Sequence, residues 1–118
     1  MSYKARDVAE YIIFYSHSKD YSISNLKLQK LLYFVQKEFF KSGRKCFEDE
    51  MEYWDCGPVV NDVYTKYKVY NGGNIPGFIA KNPNSIADDV KALIASVVDR
   101  YKYESTTQLD KIIRIQQP

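Results

Sequence analysis

The segment Asn25–Ser42, NLKLQKLLYFVQKEFFKS, is apolar around too much of its circumference to be an ordinary surface helix. At 100° per residue, Leu28, Leu31, Leu32, Val35 and Phe39 fall within about a third of the circumference, the stripe that faces a core. Leu26, Gln29, Tyr33, Gln36 and Phe40 make a second face, and Lys27, Lys30, Phe34, Lys37 and Lys41 a third. Such a helix either runs through the middle of a bundle with neighbours on two sides or holds its second face open for a partner. We take the central position as the working expectation. Ser24 or Asn25 supplies the N-cap, because a short side-chain oxygen accepts from the free amides of the first turn, and Gly43 closes the helix.

Other helices follow from the same periodicity. Ala5, Val8, Ala9, Ile12 and Ser16 predict a first amphipathic helix from about Tyr3 to Ser16. Met51, Tyr53 and Trp54 suit a small strand, and a short β-hairpin is expected around residues 46–55. Gly57-Pro58 reads as the start of another helix, since proline at the first helical position loses no bond, with Val60, Val63, Tyr64, Tyr67 and Tyr70 in its pattern. Breakers between Asn71 and Asn84 mark a loop. Ser85 and Asp88 make a capping arrangement for a helix through Ile86, Val90, Leu93, Ile94, Val97 and Tyr101. Thr106 or Thr107 caps a last short helix with Leu109, Ile112 and Ile113 inward. The expected fold is mainly α: one domain over residues 1–118, a compact bundle of about five helices with that hairpin.

The charge distribution narrows the function classes. Residues 1–45 carry nine Lys or Arg against four acids, residues 46–62 six acids and no base, and the remainder eight bases against five acids, so the segments sum to +5, −6 and +3. A net charge of +2 is too mild to argue for nucleic-acid binding, and a polyanion approaching Glu48, Asp49, Glu50, Glu52 and Asp55 meets repulsion. Eleven tyrosines suit half-buried surfaces and interfaces. No charged n-region precedes an apolar run at Met1, and no run approaches membrane-spanning length, so the cytoplasm is the expected compartment.

Catalytic and ligand chemistry finds little to work with. His17 is the single histidine and sits between Ser16 and Ser18 in a polar stretch; nothing points to a carboxylate or thiol beside it. Cys46 and Cys56 stand ten apart, matching neither a zinc pair nor a redox CxxC. Gly72-Gly73 lacks the strand before and the Lys-Ser or Lys-Thr after it that a phosphate loop needs. The acids of residues 48–55 lack the glycine and alternation of a calcium loop. No enzyme, cofactor or metal is expected.

Two blocks carry a resemblance. Leu26-Lys27-Leu28-Gln29-Lys30-Leu31-Leu32-Tyr33-Phe34, followed by Trp54-Asp55-Cys56-Gly57-Pro58-Val59-Val60, resembles the Panacea domain family of SocA-like antitoxins, also labelled phage-associated GepA-like proteins. The similarity extends from the Ala5–Ile13 helix through the Val90–Tyr101 helix. It implies an antitoxin, encoded in bacterial or prophage genomes beside a toxin, that neutralises by protein contact; some relatives instead deliver the toxin to a protease. A Thr-His pair and a Pro-Trp expected near the last helix are absent, and Ile113-Arg114-Ile115-Gln116-Gln117-Pro118 stands there instead.

Within these blocks the residues divide by chemistry. Leu28, Leu31 and Leu32 need only packing, and Gly57, Pro58 and Val59 are backbone devices. Gln29 and Tyr33, at i and i+4, bond either a neighbouring backbone or a partner. The stripe of Lys27, Lys30, Phe34 and Lys37 is either a solvated face or a dock for an acidic toxin surface, and Trp54 either wedges the turn against the core or anchors an interface. The expected partner-binding set is therefore Lys27, Gln29, Lys30, Tyr33, Phe34, Lys37 and Trp54, with a cognate protein toxin as partner. The alternatives are a nucleic-acid-binding regulator using the basic face of Leu26–Ser42, or a proteolytic adaptor that delivers its partner to a protease.

Overall fold

The computed structural model describes residues 2–116. In chain order they form α1 (Ala5–Ser18), α2 (Asn25–Phe40), β1 (Glu52–Trp54), β2 (Gly57–Val59), α3 (Asn61–Tyr67), α4 (Asp88–Tyr101) and α5 (Thr106–Gln116). Short 3-10 turns lie at Lys68–Tyr70 and Gly77–Ile79. The mainly α bundle of five helices is as the sequence predicts.

Helix α2 takes the central position, touching α1, α3, α4, α5 and β2. Its stripe of Leu28, Leu31, Leu32, Val35 and Phe39 is buried in one core with Ile12 of α1, Ile94 of α4, Leu109 of α5 and Phe47. Each such side chain contributes about 1.5–3 kcal/mol by leaving water, which makes this stripe the main support of the bundle. Ser24 caps the helix, its hydroxyl accepting from the Lys27 amide at 3.2 Å. At the other end the Arg44 amide returns to the Phe39 carbonyl and the Gly43 amide to the Phe40 carbonyl, with Gly43 at φ +73°. That pair of bonds ends the helix in the left-handed turn that glycine permits.

Helix α1 starts two residues later than its periodicity suggests, and its cap comes from far along the chain. Lys4 at the N-cap offers no side-chain bond. Instead the Ala5 amide donates to Asp49 Oδ1 at 2.8 Å, while Tyr3 pairs in parallel with Phe47. One carboxylate of the acidic block thus sits at the positive end of α1, where an anion is stabilised.

Several local expectations are corrected. The expected hairpin is present but shifted toward the C-terminal side: β1 lies within residues 46–55 and pairs antiparallel with β2 just beyond them, Trp54 opposite Gly57 and Tyr53 opposite Pro58. Gly57-Pro58 therefore belongs to a strand, and the helix begins at Asn61. Gly57 has φ +109°, a conformation that glycine permits at the tight turn between the strands, and Pro58 is tolerated because a two-stranded ribbon consists of edges. Ser85 and Asp88 form no capping bond; Ala87 occupies the N-cap, and its amide donates to the Tyr3 hydroxyl at 3.2 Å. Ser105, not Thr106 or Thr107, caps α5, accepting from the Gln108 amide at 3.0 Å. In the loop after Asn71, Ile75 is buried and its amide bonds the Ile23 carbonyl at 2.8 Å, which ties the segment to the lead-in of α2. Of the tail, Gln117 and Pro118 lie outside the described residues.

Candidate functional site

The polar residues of α2 that looked available for contact are mostly turned inward. Gln29 is fully buried; its Oε1 accepts the Val60 amide at 2.9 Å and its Nε2 donates to Asn25 Oδ1 at 3.1 Å. Asn25 in turn donates to the Tyr64 carbonyl at 3.0 Å, so two carboxamides hold the start of α3. One turn-pair further on, Gln36 does the same for another segment. Its Oε1 accepts the Cys46 amide at 2.7 Å and the Phe47 amide at 3.3 Å, and its Nε2 donates to the Phe47 carbonyl at 2.8 Å. A side-chain amide here completes a backbone that has no strand partner of its own on that side.

The lysine stripe is not a solvated face at its N-terminal end, which corrects the expectation for Lys27 and Lys30. Lys27 Nζ donates to the Lys102 carbonyl at 3.1 Å and to the Glu104 carbonyl, and lies 5.4 Å from the Tyr21 ring centre. It closes the C-terminal end of α4, where free carbonyls favour a cation. Burial pulls its pKa below the ordinary lysine value, with Glu104 opposing. Lys30, 2% exposed, donates to the Cys56 carbonyl at 2.8 Å and meets Asp110 at 3.4 Å. Asp110 also accepts from Arg114 Nε at 2.7 Å, and Arg114 donates to the Asp55 carbonyl at 3.1 Å. The Arg114 bond, with Lys30 behind it, holds the Asp110 carboxyl below the usual range. One cluster of charge therefore joins α2, α5 and the hairpin turn.

Phe34 is buried too, stacked on Tyr101 with ring centres 4.1 Å apart. Tyr33 is nearly buried, edge-on to Phe34 at 5.3 Å, with Lys37 Nζ 5.9 Å from its ring centre. Trp54 is 37% exposed on the hairpin, edge-on to Tyr64 at 5.0 Å and donating to Glu52 Oε1 at 3.0 Å. Of the seven expected contact residues, Lys27, Gln29, Lys30 and Phe34 are thus interior, Tyr33 borders the surface, and Lys37 and Trp54 reach it. Leu28, Leu31 and Leu32 are core; Pro58 and Val59 are buried in β2.

What stays open is a groove of about 520 Å³ between α2 and the ribbon. Tyr33, Gln36, Lys37 and Phe40 form its helical wall, and Met51 and Tyr53 form the opposite one. Phe40 and Tyr53 are 55% and 67% exposed. A second hollow, of about 810 Å³, lies on the Tyr64 side and is lined by Leu26, Cys56 and Val69 among others. Sequence reasoning had Gln36 and Phe40 on the second face of α2 without assigning them a role; the signal for Gln36 was an amide seven residues after Gln29, on the same side of the helix.

Reactive groups do not gather. Among the described residues no group of three or more His, Cys, Asp or Glu is placed to hold a metal ion. Burial pushes the Cys46 thiol up to about 12, far from nucleophilic. His17 is exposed and packs against Gly77, where an added Cβ would lie 2.5 Å from the imidazole. No helix of the described residues is long and apolar enough to cross a membrane.

The fold and site define a small helical bundle closed around a central helix, with Phe40, Tyr53 and Trp54 exposed where α2 meets the hairpin and Phe78 and Tyr103 exposed elsewhere. The family model described as antitoxin SocA-like, Panacea domain, matches residues 28–117, and the chain belongs to that family. The match begins inside α2, so α1 lies outside it, and it runs through α5. No curated protein matches the chain, and no solved structure does.

Proposed function

We propose that this protein is the antitoxin of a toxin–antitoxin pair and neutralises a co-encoded toxin in the cytoplasm by direct protein contact, without catalysis. Membership of the SocA-like antitoxin family over residues 28–117 carries this reading. The disposition of side chains supports it: the buried polar groups of α2 are engaged within the fold, whereas Phe40, Tyr53 and Trp54 remain at the surface, and exposed aromatic residues dominate protein interfaces. A nucleic-acid regulator working through the basic face of α2 would need Lys27, Lys30 and Phe34 outside, where they are not.

Co-expression with the neighbouring gene tests the proposal. That gene alone should arrest growth, and this protein should restore it with the toxin still present in a stable complex. A neighbour that is harmless, or that stays lethal, sinks the antitoxin reading. Restored growth accompanied by protease-dependent loss of the toxin replaces simple neutralisation by delivery for degradation.

A further inference from the structure

The groove between α2 and the ribbon runs along one stripe of α2 that ends on the exposed Phe40. Its wall on α2 is built from positions 33, 36, 37 and 40, the i, i+3, i+4, i+7 stripe that a neighbouring helix covers wherever α2 is packed. These positions span about 10 Å of axis, two turns. The facing wall uses Met51 and Tyr53, alternate positions on one side of an extended segment, while Trp54 turns the other way to Tyr64. The volume of about 520 Å³ is within the ~300–1,000 Å³ typical of binding sites, room for a few large side chains.

The rim supplies the charge. Lys45 and Glu50, both lining the groove, have no partner among the described residues, and Lys37 is answered by the Tyr33 ring but by no carboxylate. Unpaired charges of both signs beside an aromatic floor set the complement required of an occupant. A second copy of this chain placed symmetrically would set the groove against itself, concave on concave, and leave the floor uncovered.

We propose that the groove receives an amphipathic α-helix of the protein partner, about two turns long. Its apolar i, i+3, i+4 face covers Phe40, Met51 and Tyr53. It carries an acid for Lys37 and Lys45 and a base for Glu50. This rests on the antitoxin reading and names the part of the toxin that is held.

The test titrates the purified full chain with the purified product of the neighbouring gene by calorimetry. Phe40→Asp and Tyr53→Ala change exposed side chains, so circular dichroism and urea unfolding should stay as in the parent. Each should weaken binding at least 50-fold, while Val69→Asp at the second hollow should change it less than 3-fold. Lys45→Glu should lose at least 5-fold and recover when the facing acid of the partner is reversed. Hydrogen exchange of the complex should protect one helical segment of the partner. Parent binding that survives Phe40→Asp and Tyr53→Ala overturns the groove and leaves the antitoxin reading intact; so does protection of a strand or loop in the partner. Self-association abolished by Phe40→Asp assigns the groove to a second copy and overturns the proposal. A parent chain that does not bind the neighbour overturns both.

Discussion

Gln29 Oε1 accepts the amide of Val60 at 2.9 Å, thirty-one residues away, in a place closed to water. The bond fixes the point where β2 gives way to α3, so the carboxamide of one helix positions the start of another. Gln29→Leu keeps the volume and strands the Val60 amide together with Asn25. An unmet buried donor costs about 1–3 kcal/mol, and urea unfolding should show a loss of that size. Loss below about 0.5 kcal/mol would mean that water replaces the carboxamide.

Gly57 tests the hairpin. Its φ of +109° is strained for any L side chain, and an added Cβ would lie 3.3 Å from Lys30 Nζ and 3.4 Å from Asp110 Oδ1. Gly57→Ala should destabilise by about 1–3 kcal/mol. Were Gly57-Pro58 a helix start, the same change would be near neutral, so thermal unfolding separates the two geometries.

Phe34 lies stacked on Tyr101 in the interior. Phe34→Ala removes a buried ring and one half of that stack, and should cost about 3–5 kcal/mol. Phe34→Leu should cost under half as much, because volume is largely kept. Equal losses would show that ring stacking outweighs packing.

Alkaline pH should weaken the fold. Burial raises the Cys46 thiol from 9.0 to about 12 and the Tyr67 hydroxyl from 10.0 to about 12. Between those values the unfolded chain has released protons that the folded chain keeps, so the folded state holds more protons and stability falls as pH rises from about 9 to 12. Lys27, lowered by burial, acts with the opposite sign up to 10.5, which softens the decline. Urea midpoints at pH 8 and 10.5 measure it. Tyr67→Phe should flatten the slope and Lys27→Met should steepen it; unchanged slopes would refute the assignment.

The legible parts of the fold were those decided by local pattern. Leu28, Leu31, Leu32, Val35 and Phe39 announce the central helix, and its Ser24 cap and Gly43 exit are short-range chemistry. Gly57-Pro58 misled because proline suits both the first turn of a helix and an edge strand, and only the partner Tyr53 decides between them. The burial of Lys27 and Lys30 was invisible for another reason. Their acceptors are carbonyls of Lys102, Glu104 and Cys56, and main-chain groups leave no mark in the identity of a distant residue. The ribbon-facing groove was half legible: Tyr33 and Phe40 share a helical face, but the opposing wall exists only once the hairpin is placed.

That most of the buried polar groups on α2 grasp main-chain atoms has a consequence for how this domain can change. Val60, Cys46, Phe47, Cys56, Lys102 and Glu104 are held by an amide or carbonyl that nearly any amino acid would provide in the same place. The fastenings are blind to side-chain identity. Exposed positions on the segments they secure can therefore be rewritten one by one, giving the surface a new chemical face while the frame beneath keeps its geometry.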